Sequence, residues 1–499
     1  MSIRVNWRVS LNLVGTSLTY LAIPLAFPLL LAVYYGEPVR PFLVPIAITL
    51  VLGYGLDSFG TDDQQLHARE SFLVASLIWL LIAIIGAIPF LVAGTGVTAH
   101  PINALFESMS GITTTGATVM LDFDTHSRSL MMWRQVIQWI GGLGILILAT
   151  TVLSEVGVGG AQLMESETWT ATFQKLTPRL AETARILFGL YTAITVGVIA
   201  VLYGLSLAGF APNMTLYNAV AHAFTSVATA GFSPEPESAG AFTPVVQWVL
   251  TASMLVGGTS FILLYQAFTE DLGRLRRNDE FHFYLATVAI ASVLIAFALS
   301  FDATQQFSFE QRVRHAVFNT VSIITTTGFA SVNFDLWSAA AKNVLFACMF
   351  LGAMVGSTTC SIKTLRWLVV VKAFRRDLFT AVHDSVVRPV RIRGSAIDEE
   401  SVRDVYGFVL LSIIFVFALT VFVVVDAARV GLSVSEFEAM SAAASTFLNI
   451  GPAFGLAGPY ESYHAFPWTT KAAMILLMWV GRVEIIPVMV LFTASFWRS

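Results

Sequence analysis

The apolar residues of this 499-residue chain gather into blocks of about 20 or more, near 10–35, 40–60, 71–94, 131–153, 184–209, 244–268, 281–301, 338–372, 405–430 and 468–495. As helix, each block is long enough to cross about 30 Å of hydrocarbon. The pattern therefore predicts about ten crossings, and after residue 71 it repeats. Four times a span leads through a loop to a short polar-apolar segment, a glycine and a returning span. The segments are NALFESMSGITTTG (103–116), NAVAHAFTSVATAG (218–231), HAVFNTVSIITTTG (315–328) and EAMSAAASTFLNIG (438–451), ending on Gly116, Gly231, Gly328 and Gly451. Between 24 and 30 residues after each glycine comes a second glycine signature, marked by Gly141, Gly257, Gly352 and Gly481. Self-similarity of this kind means one supersecondary unit used four times.

Thirteen residues before each terminal glycine stands Asn103, Asn218, His315 or Glu438, and this position is expected to open a short helix as its N-cap or as an acid at the positive dipole end. About ten residues of helix follow, roughly 15 Å, which is half a bilayer. Such a segment enters the membrane and returns. Non-helical backbone at membrane depth is tolerated only when buried in protein or lining water, so a short helix ending in Thr-Thr-Gly implies a polar lumen. The helix C-terminus turns carbonyls toward that lumen and favours cations, while glycine lets successive carbonyls aim inward. This is the physics of a selectivity filter, in which backbone oxygens replace the hydration shell of a cation. A single Thr-Gly cluster is ordinary packing in membrane helices; four in register are not.

Composition sharpens the class. The chain is 56% hydrophobic and 12% charged, with mean hydropathy +0.74, against about 25% charged in average soluble domains. Net charge of −4 says little, but its distribution orients the chain. With ten crossings both termini share a side, and that side carries 19 Lys and Arg against 8 on the other, with Arg482 inside a span. The positive-inside rule then places the termini in the cytoplasm. The first apolar block, which lacks a small-residue cleavage site, is expected to stay as a helix. The opposite loops hold Asp122, Asp124, Glu235, Glu237, Asp302, Asp335, Glu436 and Glu461, which read either as solvated loop residues or as a negative mouth that concentrates cations.

Catalytic and cofactor chemistry find little support. Cys348 and Cys360 share one apolar segment and offer no disulfide or metal framework. The eight histidines, among them His67, His126 and His222, form no HxxxH-like pair inside a span. No Walker A pattern or GxGxxG opening a helix occurs. The expectation is a non-enzymatic membrane protein without a cofactor and without a nucleic-acid partner.

The four filter segments, the GGLG and GGTS that follow two of them, the GSTTCSIK stretch and the closing GRVEIIPVMVLF resemble the Trk, Ktr and HKT superfamily of potassium transporters, most closely its TrkH branch. The resemblance spans nearly the whole chain. It implies an all-α membrane fold with four pseudo-symmetric span–pore-helix–span repeats around one pore. These would occupy 66–160, 161–275, 276–395 and 396–499, after an N-terminal two-helix hairpin at 1–65. It also implies potassium as the substrate, held by Thr114, Thr115 and Gly116, Thr229, Ala230 and Gly231, Thr326, Thr327 and Gly328, and Asn449, Ile450 and Gly451. In related plant transporters a serine at the first filter glycine goes with sodium permeation, so Gly116 favours potassium. Asn449-Ile450-Gly451-Pro452 departs from the Thr-rich pattern and implies an asymmetric, less selective filter.

The third return span, 338–372, is too long and too interrupted for one clean helix. Its centre holds Gly352, Gly356, Ser357, Thr358, Thr359, Cys360 and Ser361, and such Gly/Ser/Thr clusters kink helices. The resemblance implies an intramembrane gating loop at 356–361, with Cys360 and Ser361 where relatives carry more glycine. Arg482 is the other gate candidate, because an arginine inside an apolar span is functional by default. Glu484, two residues on, points away from it on a helix; an ion pair with some other helix is the alternative. The basic cytoplasmic residues (Arg274, Arg276, Arg277, Lys372, Arg375, Arg376, Arg388, Arg391 and Arg393) read as topology determinants or lipid contacts. The resemblance adds docking of a nucleotide-binding RCK subunit of TrkA type, a homodimer with one pore per protomer, and a bacterial inner membrane. A sodium- or proton-coupled symporter is the alternative reading.

Overall fold

The computed structural model describes residues 5–59, 68–151, 180–302, 305–383, 386, 388–392 and 395–497. Arg4, His67, Arg393, Arg498, most of the 154–185 loop and the expected repeat boundaries at 65/66 and 160/161 lie outside the described residues. Within them the chain is helical apart from a two-residue antiparallel pairing, Arg391–Ile392 with Ser395–Ala396.

Among the described residues seven helices are long and apolar enough to cross a membrane alone: Trp7–Tyr35, Arg40–Asp57, Arg69–Ala93, Arg128–Leu148, Glu182–Leu207, Asp279–Ser300 and Glu399–Val430. Three further crossings are broken. Pro244–Gly257 and Phe261–Thr269 meet at 97°, and Trp468–Val483 meets Ile485–Phe492 at 119°. Ala339–Cys348 is separated from Thr364–Thr380 by an irregular stretch. About ten spans are present, as the hydropathy predicts. The second and fourth return spans are sharply bent, the second just after Gly257 of its glycine signature. The fourth bends at Glu484, whose φ of +70° ends one helix and starts the next.

The first two helices form the expected hairpin. Gly15 and Gly53 let them touch, since a Cβ at either would lie 2.6 Å or less from atoms of the other helix. Behind them the four repeats enclose a shared core. Each repeat contains a short buried helix: Pro101–Ile112, Leu216–Val227, Phe309–Ile324 and Glu436–Phe447. Three have 12 residues, about 18 Å of helix, too short to cross.

Their N-termini correct the expected caps. The caps are His100, Thr215, Ser308 and Ser435, and the last two close capping boxes with Gln311 and Glu438. Asn103 and Asn218 sit inside the first turn and His315 deeper, while Glu438 lies in the first turn, where an acid was expected. Asn103 instead donates to Val97 O at 2.9 Å and accepts from Lys471 Nζ at 2.8 Å. Asn218 donates to Glu235 Oε1 at 2.9 Å.

Candidate functional site: a ring of four glycine turns

The same backbone trace follows every short helix. The helix ends, the next residue but one takes a left-handed conformation, and its successor returns an N–H to the helix five residues back. Thr115, Ala230, Thr327 and Ile450 donate to the carbonyls of Ser110, Thr225, Ser322 and Ser445 at 2.8 to 2.9 Å. This is the long bond of a helix-terminating Schellman turn, and it consumes carbonyls the helix end would otherwise orphan.

The left-handed residues are Thr114, Thr229, Thr326 and Asn449, with φ between +50° and +55°. A β-branched threonine at positive φ is strained and persists only where its surroundings over-determine it. Three such threonines stand at equivalent positions. Two residues on, Gly116, Gly231, Gly328 and Gly451 have φ of +79°, +80°, +83° and +109°. The residues between have negative φ, so the handedness alternates along each segment.

The four glycines close a ring. A Cβ on Gly116 would lie 2.4 Å from Ala230 O, one on Gly231 1.9 Å from Thr327 O, one on Gly328 2.2 Å from Ile450 O, and one on Gly451 2.6 Å from Thr115 O. Each repeat thus touches the next and the fourth returns to the first, an arrangement that only four segments around a common axis produce. The companion glycines serve a different contact. A Cβ at Gly141, Gly257 or Gly481 would meet Ile112 O, Val227 O or Phe447 O at 2.1, 2.9 and 1.9 Å. In these three repeats the return span abuts the last carbonyl of its own short helix. Gly352 breaks the pattern and packs instead on Cys360 O and Ile362 O of its own loop.

Above the ring opens a vestibule of about 170 Å³, floored by the four glycines and lined by Glu235, Glu461, Arg134 and Tyr463 among others. Two of the loop acids therefore reach the mouth. Asp302 instead caps Ser338 N and Asp335 pairs with Lys342. Arg134 is buried and ion-paired to Glu107 at 2.8 Å. It also donates to Ser233 O at 3.0 Å and lies over the Phe232 ring at 4.1 Å. Glu107 accepts from Val119 N at 2.9 Å, so one buried pair ties the segment after the first glycine turn to the segment after the second. In the loop before the first return span, burial and nearby Arg134, only partly opposed by Asp122, pull the pKa of His126 down to about 4.

Below the ring lies the interrupted third return span. Thr358 Oγ1 bonds Thr229 Oγ1 at 2.9 Å and donates to Val227 O and Gly257 O, each at 3.1 Å. Cys360 N donates to Thr326 Oγ1 at 3.0 Å. The predicted loop thus hangs from the second and third glycine turns. Gly356 and Ser361 both adopt positive φ, +76° and +62°, so Ser361 holds a conformation that glycine would take freely. Glu280 braces the loop by accepting from Val355 N at 2.8 Å.

Arg482 is 1% exposed and ends the same assembly. Its guanidinium donates to Thr358 O at 3.0 Å, to Gly141 O at 2.8 Å and to Cys360 Sγ at 2.6 Å. Among the described residues it has no carboxylate partner, so the alternative of an ion pair with another helix is not what the structure holds. Glu484 pairs with Arg366 instead, at 2.8 Å. The predicted filter and gate residues therefore converge on one axis. His222 makes ordinary buried hydrogen bonds to Asn218 O and Ser233 Oγ, and both cysteines are free.

Sequence reasoning missed the residues that brace this centre. Gln138 donates to Ala230 O at 2.5 Å and accepts from Phe232 N at 2.9 Å. Tyr463 donates to Gly451 O at 2.7 Å. Arg134, Glu280 and Arg366 belong to the same set. Their contacts join positions far apart in the chain, and only the polarity of Gln138 and Arg134 inside an otherwise apolar span signalled them. Among the described residues no three His, Cys, Asp or Glu gather as a metal would require. A cation here would meet backbone and hydroxyl oxygens.

Comparison with known proteins agrees with this architecture. The family model TrkH, described as a cation transport protein, matches residues 41–499. The Trk system potassium uptake protein TrkH of Halomonas elongata is 32% identical over 499 residues, covering 99% of both chains. The Escherichia coli K12 protein of the same name is 29% identical over 500 residues, covering 99% of this chain and all of its own. The crystal structure of the potassium transporter TrkH from Vibrio parahaemolyticus superposes with a TM-score of 0.87 at 28% identity, covering 99% of this chain and 100% of the other.

Proposed function

Because the chain belongs to the TrkH family of cation transport proteins, we propose that it carries potassium into the cell as the pore-forming protein of a Trk system and is not an enzyme. The observation that carries this reading is the closed ring of four glycine turns. Left- and right-handed residues alternate there, and four helix C-termini end behind them. Each helix end contributes about −0.5 charge, so four of them favour a cation without a single carboxylate at the ring. In this reading the carbonyls of 114–116, 229–231, 326–328 and 449–451 replace the hydration shell of potassium. The hydroxyls of Thr114, Thr229 and Thr326 border the lower end.

The loop at 356–361 and Arg482 form the gate. The loop occupies the space under two filter segments, and the buried guanidinium adds a positive charge that repels permeating cations. The cytoplasmic basic face would receive a nucleotide-binding RCK subunit, and two protomers would pair, each with its own pore. Both termini face the cytoplasm of a bacterial inner membrane, in keeping with the excess of Lys and Arg on that side.

Transport without obligatory coupling is favoured because Glu107 and Glu484 are each paired to an arginine. Purified protein in liposomes should release potassium faster than sodium, with or without an imposed pH gradient. Flux that appears only with the gradient would identify a coupled carrier.

A further inference from the structure

The filter ring is not equally available at its four corners. Two levels of carbonyls face the glycine contacts: Thr115, Ala230, Thr327 and Ile450 at one, and Gly116, Gly231, Gly328 and Gly451 at the next. Among the described residues, six of these eight carbonyls accept no hydrogen bond. The exceptions are Ala230 O, bonded by Gln138 Nε2 at 2.5 Å, and Gly451 O, bonded by the Tyr463 hydroxyl at 2.7 Å. One carbonyl is engaged at each level, in the second repeat and in the fourth.

Neither donor belongs to the filter. Gln138 stands on the first return span and grips the second filter segment on both sides of Gly231, through Ala230 O and Phe232 N. Tyr463 lies in the loop before the fourth return span, its ring packed between Phe106 and Phe466 and its N–H bonded to Thr118 O at 2.9 Å. Both side chains are buried and locked, so the hydrogen bonds are built in.

We propose that Gln138 and Tyr463 set the ion specificity of this filter by withdrawing one carbonyl at each level from the permeating cation. A carbonyl that already accepts a hydrogen bond is a weaker cation ligand. Fewer and weaker ligands disfavour the larger, more highly coordinated potassium relative to sodium. Each residue acts on the ion through a filter carbonyl and is a positioning residue. The proposal rests on the reading of the ring as a potassium filter.

Tyr463→Phe removes only the hydroxyl and keeps the ring, and Gln138→Met removes both amide bonds at similar volume. The readouts are the half-saturating potassium concentration and the potassium-to-sodium flux ratio in liposomes. Thermal stabilisation of the detergent-purified variants by potassium against sodium is measured in parallel, since it needs no open pore. Each variant is expected to lower the half-saturating potassium concentration by about threefold, the worth of one neutral hydrogen bond. The flux ratio should rise, as should the preference for potassium in thermal stabilisation. Unchanged or weakened potassium preference by these measures, with Gly116→Ser altering the flux ratio in the same assay, overturns the proposal and leaves the filter standing. If Gly116→Ser is silent as well, the filter reading itself has failed.

Discussion

A threonine at φ near +50° is a poor choice for stability and a telling one for function. Thr114, Thr229 and Thr326 each carry about 1–3 kcal/mol of backbone strain, tolerated because the surrounding hydrogen bonds fix the turn. Arg482 is a second such residue: a buried charge held by two carbonyls and a thiol, with no carboxylate partner among the described residues. Arg482→Ala is expected to raise potassium flux several-fold in liposomes; unchanged flux in folded protein would remove it from the gate. Arg366 and Glu484 form a pair of the opposite kind. Glu484→Gln removes the charge that Glu484 sets against the buried Arg366 guanidinium and should cost about 3–5 kcal/mol, read as a lowered melting temperature in detergent. In the loop before the first return span, His126 is held neutral with its pKa near 4 against 6.5 when unfolded. The unfolded chain therefore binds the extra proton first, so the stability it contributes is full above pH 6.5 and falls away as pH drops toward 4. His126→Gln should flatten that part of the stability-against-pH curve.

At the level of elements, the return spans reveal how four copies of one unit diverged. Three keep a glycine against the end of their short helix, while the third has opened into a loop that hangs from Thr229 and Thr326. Shortening 356–361 should raise flux, as should Thr358→Val, which removes the hydroxyl that ties the loop to the second filter segment. Equal flux in both variants would separate the loop from gating. The glycine turns and the interrupted span were legible because polar, helix-breaking runs of glycine, threonine and serine at membrane depth must line water or be buried in protein. Helix starts were less so: Asn103 and Asn218 looked like caps but lie within the first turn. The Ser308–Gln311 and Ser435–Glu438 spacings carried the readable capping-box signal. The bend at Glu484 carried a local signal that went unread, since Pro487 has no N–H to return to Val483, while the ion pair of Glu484 with Arg366, 118 positions away, was not legible.

For the whole molecule, one chain builds a ring that is four-fold in backbone and asymmetric in chemistry. The backbone symmetry follows from local sequence, a helix stop and a glycine repeated at fixed spacing. The asymmetry follows from contacts between repeats, such as Asn449 donating to Thr115 Oγ1 and to Met478 O where the other corners have threonine. That is why the corners were legible in the sequence and their braces were not. The claim that Gly116, Gly231, Gly328 and Gly451 are equivalent corners of one filter is tested most directly by substituting each with serine and measuring the potassium-to-sodium flux ratio in liposomes. Every corner should lose potassium preference, because the added side chain meets a neighbouring carbonyl. Four folded variants with the wild-type ratio would contradict the account.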